Sequence, residues 1–307
     1  MLLIDTDPGV DDALAILMAH AHANTAGLTV VAGNVPLPHL VGNALKLLDV
    51  IGSDVPVFAG AAKPLVVAGP DAAFVHGADG FGDTGYLPST RAVQGEHAAA
   101  AIVRLAREHE GELTLVALAP LTNLALALRL DPDLPSRIAR LVVMGAAVTG
   151  RGNTHLVPVE FNIGFDPEAA HVVFSAWPQV ELVDWEASVR HAIAFERFEG
   201  LLARSDARAR FFTAISRKVR AFSRARGRSG VIAADALAMA VALEPGIVTH
   251  AENRHVAIER TGELTRGATV VDWDRRSGHP PNACIVLDVD QARFEALVAA
   301  ALGAPCG

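Results

Sequence analysis

Short apolar runs alternate with helix-length segments along much of the chain, and this alternation constrains the fold more tightly than any single motif. Leu2–Ile4, Leu28–Val31, Leu113–Ala117, Leu141–Met144 and Val180–Val183 read as short buried strands. Leu40–Val50, Glu96–Glu108, Leu121–Leu130 and Pro167–Phe174 read as helices between them. The order predicts βαβ units, hence an α/β fold with a mostly parallel open sheet and helices on both faces. No Ser- or Pro-rich linker, charge block or repeat divides the 307 residues, so a single domain over 1–307 is predicted. Its hydrophobic content of 51% suits the large core that such a sheet needs. Open parallel sheets bind ligands at the carboxyl ends of their strands. Asp7, Asn34, Thr122 and Met144 each fall just after one of the strands, so all four are expected to face one pocket.

The first strand runs into a cluster of acids. Asp5, Asp7, Asp11 and Asp12 lie within the first twelve residues, with Pro8-Gly9 as a turn and Asp11-Asp12 opening a helix that extends through Ala23. One or two of these acids could simply cap the helix and complement its dipole. Four in so short a span repel one another unless a cation or protons neutralise them. Oxygen-only ligands point to a hard divalent ion, Ca²⁺ or Mg²⁺, rather than zinc.

Bulk properties exclude several partners. A net charge of −8 and a pI near 5.8 argue against nucleic acid or an anionic membrane surface. No apolar stretch reaches the ~18 residues that a membrane span requires. The two cysteines, Cys284 and Cys306, belong to no disulfide framework or thiolate metal motif, and the N-terminus lacks the basic region of a signal peptide. These features together predict a cytoplasmic protein.

Two stretches read as irregular. Gly77–Pro88, with Gly77, Gly80, Gly82 and Gly85, suggests a mobile loop over the site, although an ordinary surface loop has the same composition. Its Asp79 to Asp83 segment lacks EF-hand spacing. Ala192–Gly230 is expected to hold a long helix, with Arg217, Lys218, Arg220, Arg224, Arg226 and Arg228 on a solvated face.

The run Asp5-Thr6-Asp7-Pro8-Gly9-Val10-Asp11-Asp12 resembles the amino-terminal signature of the inosine-uridine-preferring nucleoside hydrolases. The likeness continues through Val31-Ala32-Gly33-Asn34, Leu121-Thr122-Asn123, Met144-Gly145, Glu160-Phe161-Asn162, Asp166-Pro167-Glu168-Ala169-Ala170 and Asp235. It implies a Rossmann-like fold and Ca²⁺-dependent hydrolysis of ribonucleosides to ribose and base, as in purine and pyrimidine salvage, by a dimer or tetramer. Carried over by resemblance, Asp7 would ligate Ca²⁺ and act as general base. Asp12, Asp235 and the Thr122 carbonyl would complete the metal site. Asp11, Asn34 and Asn162 would hold the ribose 2′- and 3′-hydroxyls, with Glu160 and Asn153 at the 5′-hydroxyl, Met144 beneath the sugar and Asp5 supporting the cluster. His76, Phe81, Phe222 and Arg226 match positions that border the base, and His76 is the candidate leaving-group acid.

The chain departs from the family pattern in two places. Ala234 stands where many members carry a His, or a subset a Trp, before the late aspartate, and Asn153 lies seven residues before Glu160 rather than six. Two other functions compete. A haloacid-dehalogenase-type phosphohydrolase also places an Asp-x-Asp after its first strand, here Asp5 and Asp7, and binds Mg²⁺, but its later acidic pair is not apparent. A nucleoside-binding protein with the chemistry lost would explain Ala234, although it would not need the full set of acids.

Overall fold

The computed structural model describes residues 1–203 and 205–303. Its central sheet has eight strands: β1 (Leu2–Thr6), β2 (Thr25–Val30), β3 (Val57–Ala59), β4 (Thr114–Ala117), β5 (Arg140–Met144), β6 (Val180–Val183), β7 (Val248–Arg254) and β8 (Ala283–Val289). Their spatial order is β3-β2-β1-β4-β5-β6-β8-β7. Every neighbouring pair is parallel except β8 with the edge strand β7.

Side chains alternate across the sheet because the strand period is two. Leu2 and Ile4 of β1 join one core, under the helices Val10–His22, Ala234–Leu243 and Gln291–Ala301. Leu3 joins the other, under Ala98–Glu108, Thr122–Leu130 and Pro167–Ala176. Burial on both faces is why these strands read as continuous apolar runs. β1 extends past Ile4 because Asp5 pairs with Thr29 on one side and Ala117 on the other.

The chain winds from β1 outward through β2 to β3, then returns to β1's other side at β4 and winds the opposite way through β5 and β6. The direction reverses between β1 and β4, so the crevice for a ligand opens beyond the carboxyl ends of those two strands.

The expectation of one long helix in Ala192–Gly230 is not met. The described residues of that stretch form three helices, Phe195–Leu202, Ala207–Ile215 and Arg217–Ala225. Asp206 restarts the helix by accepting from the Arg208 backbone N–H at 2.8 Å, and Ser216 separates the second from the third. The breaks let Phe198 and Phe212 meet edge-on, 6.1 Å between centroids.

Gly77–Pro88 follows a short helix, Ala73–His76, and is tied to itself and to its surroundings. Asp79 accepts from the Phe81 and Asp83 N–H groups, Asp83 accepts from Ala78, and Lys218 pairs with Asp83 at 2.8 Å. Phe81, expected near the base, is instead 2% exposed and packs edge-on against Phe211. The turn at Asp79 points it into the core. Cys284 on β8 is a free thiol, and Cys306 lies outside the described residues. No helix among the described residues is long and apolar enough to cross a membrane.

Candidate active site

The site begins where β1 ends. Asp12, in the first turn of Val10–His22, has both oxygens engaged. Oδ1 accepts from the Thr6 hydroxyl at 2.6 Å and the Asp7 N–H at 3.2 Å; Oδ2 accepts from Gly9 N–H at 3.0 Å and Asn34 Nδ2 at 3.3 Å. Asp7 is gripped from β2's end: its Oδ2 accepts from Asn34 N–H at 2.6 Å, and its carbonyl accepts from Asn34 Nδ2 at 2.9 Å. That approach needs a glycine before Asn34, because a Cβ on Gly33 would sit 2.1 Å from Asp7 Oδ2.

One oxygen from each of Asp11, Asp12 and Asp235 lies within 4.8 Å of the others. Asp235 arrives on the helix Ala234–Leu243, which packs against Val10–His22. Asp7 adjoins this trio without belonging to it by that spacing, although the four were expected to divide differently between metal and sugar. Burial, followed by mutual repulsion, raises Asp7 and Asp235 well above the ordinary carboxylate range. Burial likewise pushes Asp11 and Asp12 up to about 6. Among the described residues no lysine or arginine pairs with any of the four; the nearest basic group is His76, 3.9 Å from Asp11. An all-oxygen, uncompensated set of this kind, buried except for Asp11 at the cavity surface, fits a hard divalent cation.

Asp5 supports the cluster from within the sheet. Its Oδ1 accepts from Thr29 Oγ1 at 2.6 Å and Asn123 Nδ2 at 2.8 Å, its Oδ2 is buried without a partner among the described residues, and burial raises its pKa to about 7.

A cavity of about 530 Å³ opens over the acids, a size suited to a small ligand. Asp7, Asp11, Asn34 and Asp235 line its polar end, together with Met144, Glu160 and Asn162. Glu160 is locked by the N–H groups of Ala146, Asn162 and Ile163, and burial raises its pKa to about 7. Asn162 Nδ2 donates to the Leu118 carbonyl at 2.9 Å. Asn153 also lines the cavity despite the extra residue in its loop, which Asn153 Oδ1 tethers by accepting from Phe161 N–H at 2.8 Å.

The opposite end is aromatic and basic: Phe74, Trp185, Phe222, Arg226 and Arg228 surround it beside Ala234. His76 lies between the two ends. Its Nδ1 accepts from Val10 N–H at 3.2 Å, and burial pushes its pKa down to about 4, so near pH 7 the ring is neutral with its proton on Nε2. That state can donate a hydrogen bond but is a weak general acid.

Thr122 does not line the cavity. It opens the helix Thr122–Leu130, which commits its carbonyl to the helical ladder, and its hydroxyl donates to Asp166 at 2.7 Å. The carbonyl turned toward the site is that of Leu118, immediately after β4.

Sequence reasoning passed over Phe74 and Trp185, and it set Arg228 on a solvated face, whereas that residue is half-buried and lines the cavity. Trp185 could have been found, since it follows β6 as Asp7 follows β1. Arg228 had no distinguishing signal within its Arg-rich run.

A family model described as inosine-uridine preferring nucleoside hydrolase matches residues 2–296. The chain is 36% identical over 303 residues to the non-specific ribonucleoside hydrolase RihC of Shigella boydii serotype 18, covering 98% of this chain and 97% of that protein. It is likewise 36% identical over 301 residues to the RihC of Salmonella paratyphi C, covering 97% and 96%. Among solved structures it is similar to a plant nucleoside hydrolase (TM-score 0.92, 30% identity, 99% of each chain) and to an inosine-guanosine nucleoside hydrolase (TM-score 0.91, 35% identity, 98% of each chain).

Proposed function

The chain belongs to the inosine-uridine preferring nucleoside hydrolase family, and from that premise we propose that it hydrolyses the N-glycosidic bond of ribonucleosides with the help of Ca²⁺ held at the Asp cluster. It is an N-glycosyl hydrolase acting on nucleosides, which sets aside the phosphohydrolase alternative. The observation that carries the metal reading is the crowding of four acids, with oxygens of Asp11, Asp12 and Asp235 within 4.8 Å of one another and Asp7 repelled by Asp12 and Asp11 beside them, and among the described residues no basic partner but His76.

Asp7, Asp12, Asp235 and the Leu118 carbonyl, in place of Thr122, would hold the ion. When bound, it would polarise the attacking water and orient the ribose diol beside it.

The remaining steps fall to the chain's own groups. Asp7 keeps one oxygen on Asn34 N–H and, among the described residues, leaves the other without a hydrogen bond, so that oxygen can accept the water's proton. Asp11, Asn34 and Asn162 hold the 2′- and 3′-hydroxyls, Glu160 and Asn153 take the 5′-hydroxyl, and Met144 packs under the sugar. His76 donates its Nε2 proton as a hydrogen bond rather than transferring it. The charge that develops on the ribosyl centre is oxocarbenium-like, and the surrounding carboxylates favour it.

Inosine, adenosine, guanosine, uridine and cytidine, each with Ca²⁺ and after chelation, test this reading by release of reducing sugar. Turnover of at least one nucleoside that chelation abolishes is the expected result. Saturable binding of nucleosides without any sugar release would mean that the chemistry is lost.

A further inference from the structure

Asn153 stands on a loop between β5 and Glu160, outside any strand or helix, so other groups must hold it at the cavity. The returning limb of the loop closes on the outgoing one. Gly152 N–H donates to the Val157 carbonyl at 2.8 Å, and Asn153 N–H to that of Val159 at 3.1 Å. The limbs cross so closely that a Cβ on Gly152 would lie 2.1 Å from the Val159 carbonyl oxygen. These bonds tie the loop to itself; a separate element grips its outgoing limb.

That element is the helix Trp185–Arg190. Asp184 caps it by accepting from Ala187 N–H at 2.8 Å, and it also accepts from Val148 N–H at 3.1 Å. Glu186, only 9% exposed, turns both oxygens to the loop. Its Oε1 accepts from Thr149 N–H at 2.9 Å and Arg151 N–H at 3.1 Å, and its Oε2 accepts from the Thr149 hydroxyl at 2.5 Å. An acid in the first turn of a helix complements the helix dipole wherever its side chain points. Three loop donors gathered on one carboxylate go beyond that role, and hydrogen bonds to an ionised acceptor are among the stronger ones. Asn153 lies two residues past the last N–H group held in this way. Its Oδ1 is taken by Phe161 N–H, which leaves Nδ2 as the end that can donate into the cavity.

We propose that Glu186 is a positioning residue for the ribose 5′-hydroxyl: by gripping Thr149 and Arg151 it sets where Asn153 Nδ2 meets that group. The assignment rests on the hydrolysis proposed above and on Asn153 as a contact of the 5′-hydroxyl. Glu186 does not line the cavity, so it acts only through the loop. A displacement of Nδ2 by about 1 Å forfeits its hydrogen bond and lets the sugar shift over the acids, which lowers the rate as well as the affinity.

The test removes the grip and the hydroxyl it serves, separately and together, with inosine and 5′-deoxyinosine as substrates. Wild-type protein should favour inosine in kcat/KM by at least about tenfold. Glu186→Ala should lower kcat/KM about tenfold for inosine and less than about threefold for 5′-deoxyinosine, so that the preference collapses. Glu186→Gln still offers an oxygen to Thr149 and Arg151 N–H, and should bring inosine back to within about threefold of wild type. Asn153→Ala should cost inosine about as much as Glu186→Ala, and the double variant little more than either alone. Equal losses on the two substrates would mean that Glu186 acts through its helix or the adjacent Trp185, and would overturn the assignment. Additive losses in the double variant, or an unchanged preference in Glu186→Ala, would overturn it as well. If Glu186→Ala does not fold, Thr149→Val decides, by a loss of at least about threefold on inosine without one on 5′-deoxyinosine. Wild-type protein that hydrolyses neither substrate would strike down the reaction itself. Wild-type protein that hydrolyses both equally well would strike down the 5′-hydroxyl contact and this role, and leave the reaction standing.

Discussion

At the scale of single residues, the decisive facts are which atoms are already engaged. Asp12 has hydrogen bonds on both oxygens and is fixed before any ion arrives, whereas Asp7 is held by one oxygen only. Asp7→Asn should therefore still bind Ca²⁺, by isothermal titration, while kcat falls by ~10²–10⁴ through loss of the proton acceptor. A variant within about twofold of wild type that still binds metal would place the base elsewhere. His76→Ala is expected to lower kcat/KM by about tenfold equally on inosine and p-nitrophenyl riboside, because a neutral imidazole supplies a hydrogen bond and not a proton. A loss confined to inosine would restore His76 as the acid.

Elements set the spacing of those residues. The end of β2 can approach β1 because Gly33 has no side chain. Gly33→Ala puts a methyl group 2.1 Å from Asp7 Oδ2, so Asp7 must swing away; turnover should drop at least about a hundredfold while the fold persists by circular dichroism. Activity near the wild-type level would show that Asp7 does not need this grip. Asp184→Ala removes the cap of Trp185–Arg190 and should cost about 1–2 kcal/mol in denaturant unfolding. Elements also account for what the motifs do. Thr122, Asn123 and Asp166 fall within the segments that resemble the family, yet none lines the cavity. Thr122 ties to Asp166, and Asn123 bridges Asp5 and Ala61, so they fasten the loops around the site. Motif likeness alone could not separate that role from ligation.

Over the whole molecule, the buried acids couple stability to pH. Burial raises Asp5 and Glu160 to about 7 and Asp11 and Asp12 to about 6, against ordinary values of 3.8 for Asp and 4.5 for Glu. The native state thus binds more protons than the unfolded chain between those limits, and native stability declines as pH rises through them. The thermal midpoint of the metal-free protein should fall between about pH 4 and pH 7, and Ca²⁺ should raise it more at pH 8 than at pH 5. A metal-free midpoint that is flat across the window, or an equal Ca²⁺ effect at both pH values, would show that these acids do not titrate with folding. The parallel sheet, its first six strands apart from β3, and the acids at the end of β1 were legible in the sequence. Strand period, apolar runs and the repulsion among Asp5, Asp7, Asp11 and Asp12 are local properties of the chain. Tertiary structure decided what depends on distant segments meeting. It brought the Leu118 carbonyl rather than that of Thr122 to the site, turned Phe81 into the core against Phe211, and split Ala192–Gly230 into three helices. It also laid Arg228 over Trp185, although forty-odd residues separate the two in the chain. Trp185 has a local reason to lie at the end of β6, but Arg228 has none to lie over it; their meeting follows from the packing of the helices around the carboxyl ends of the sheet.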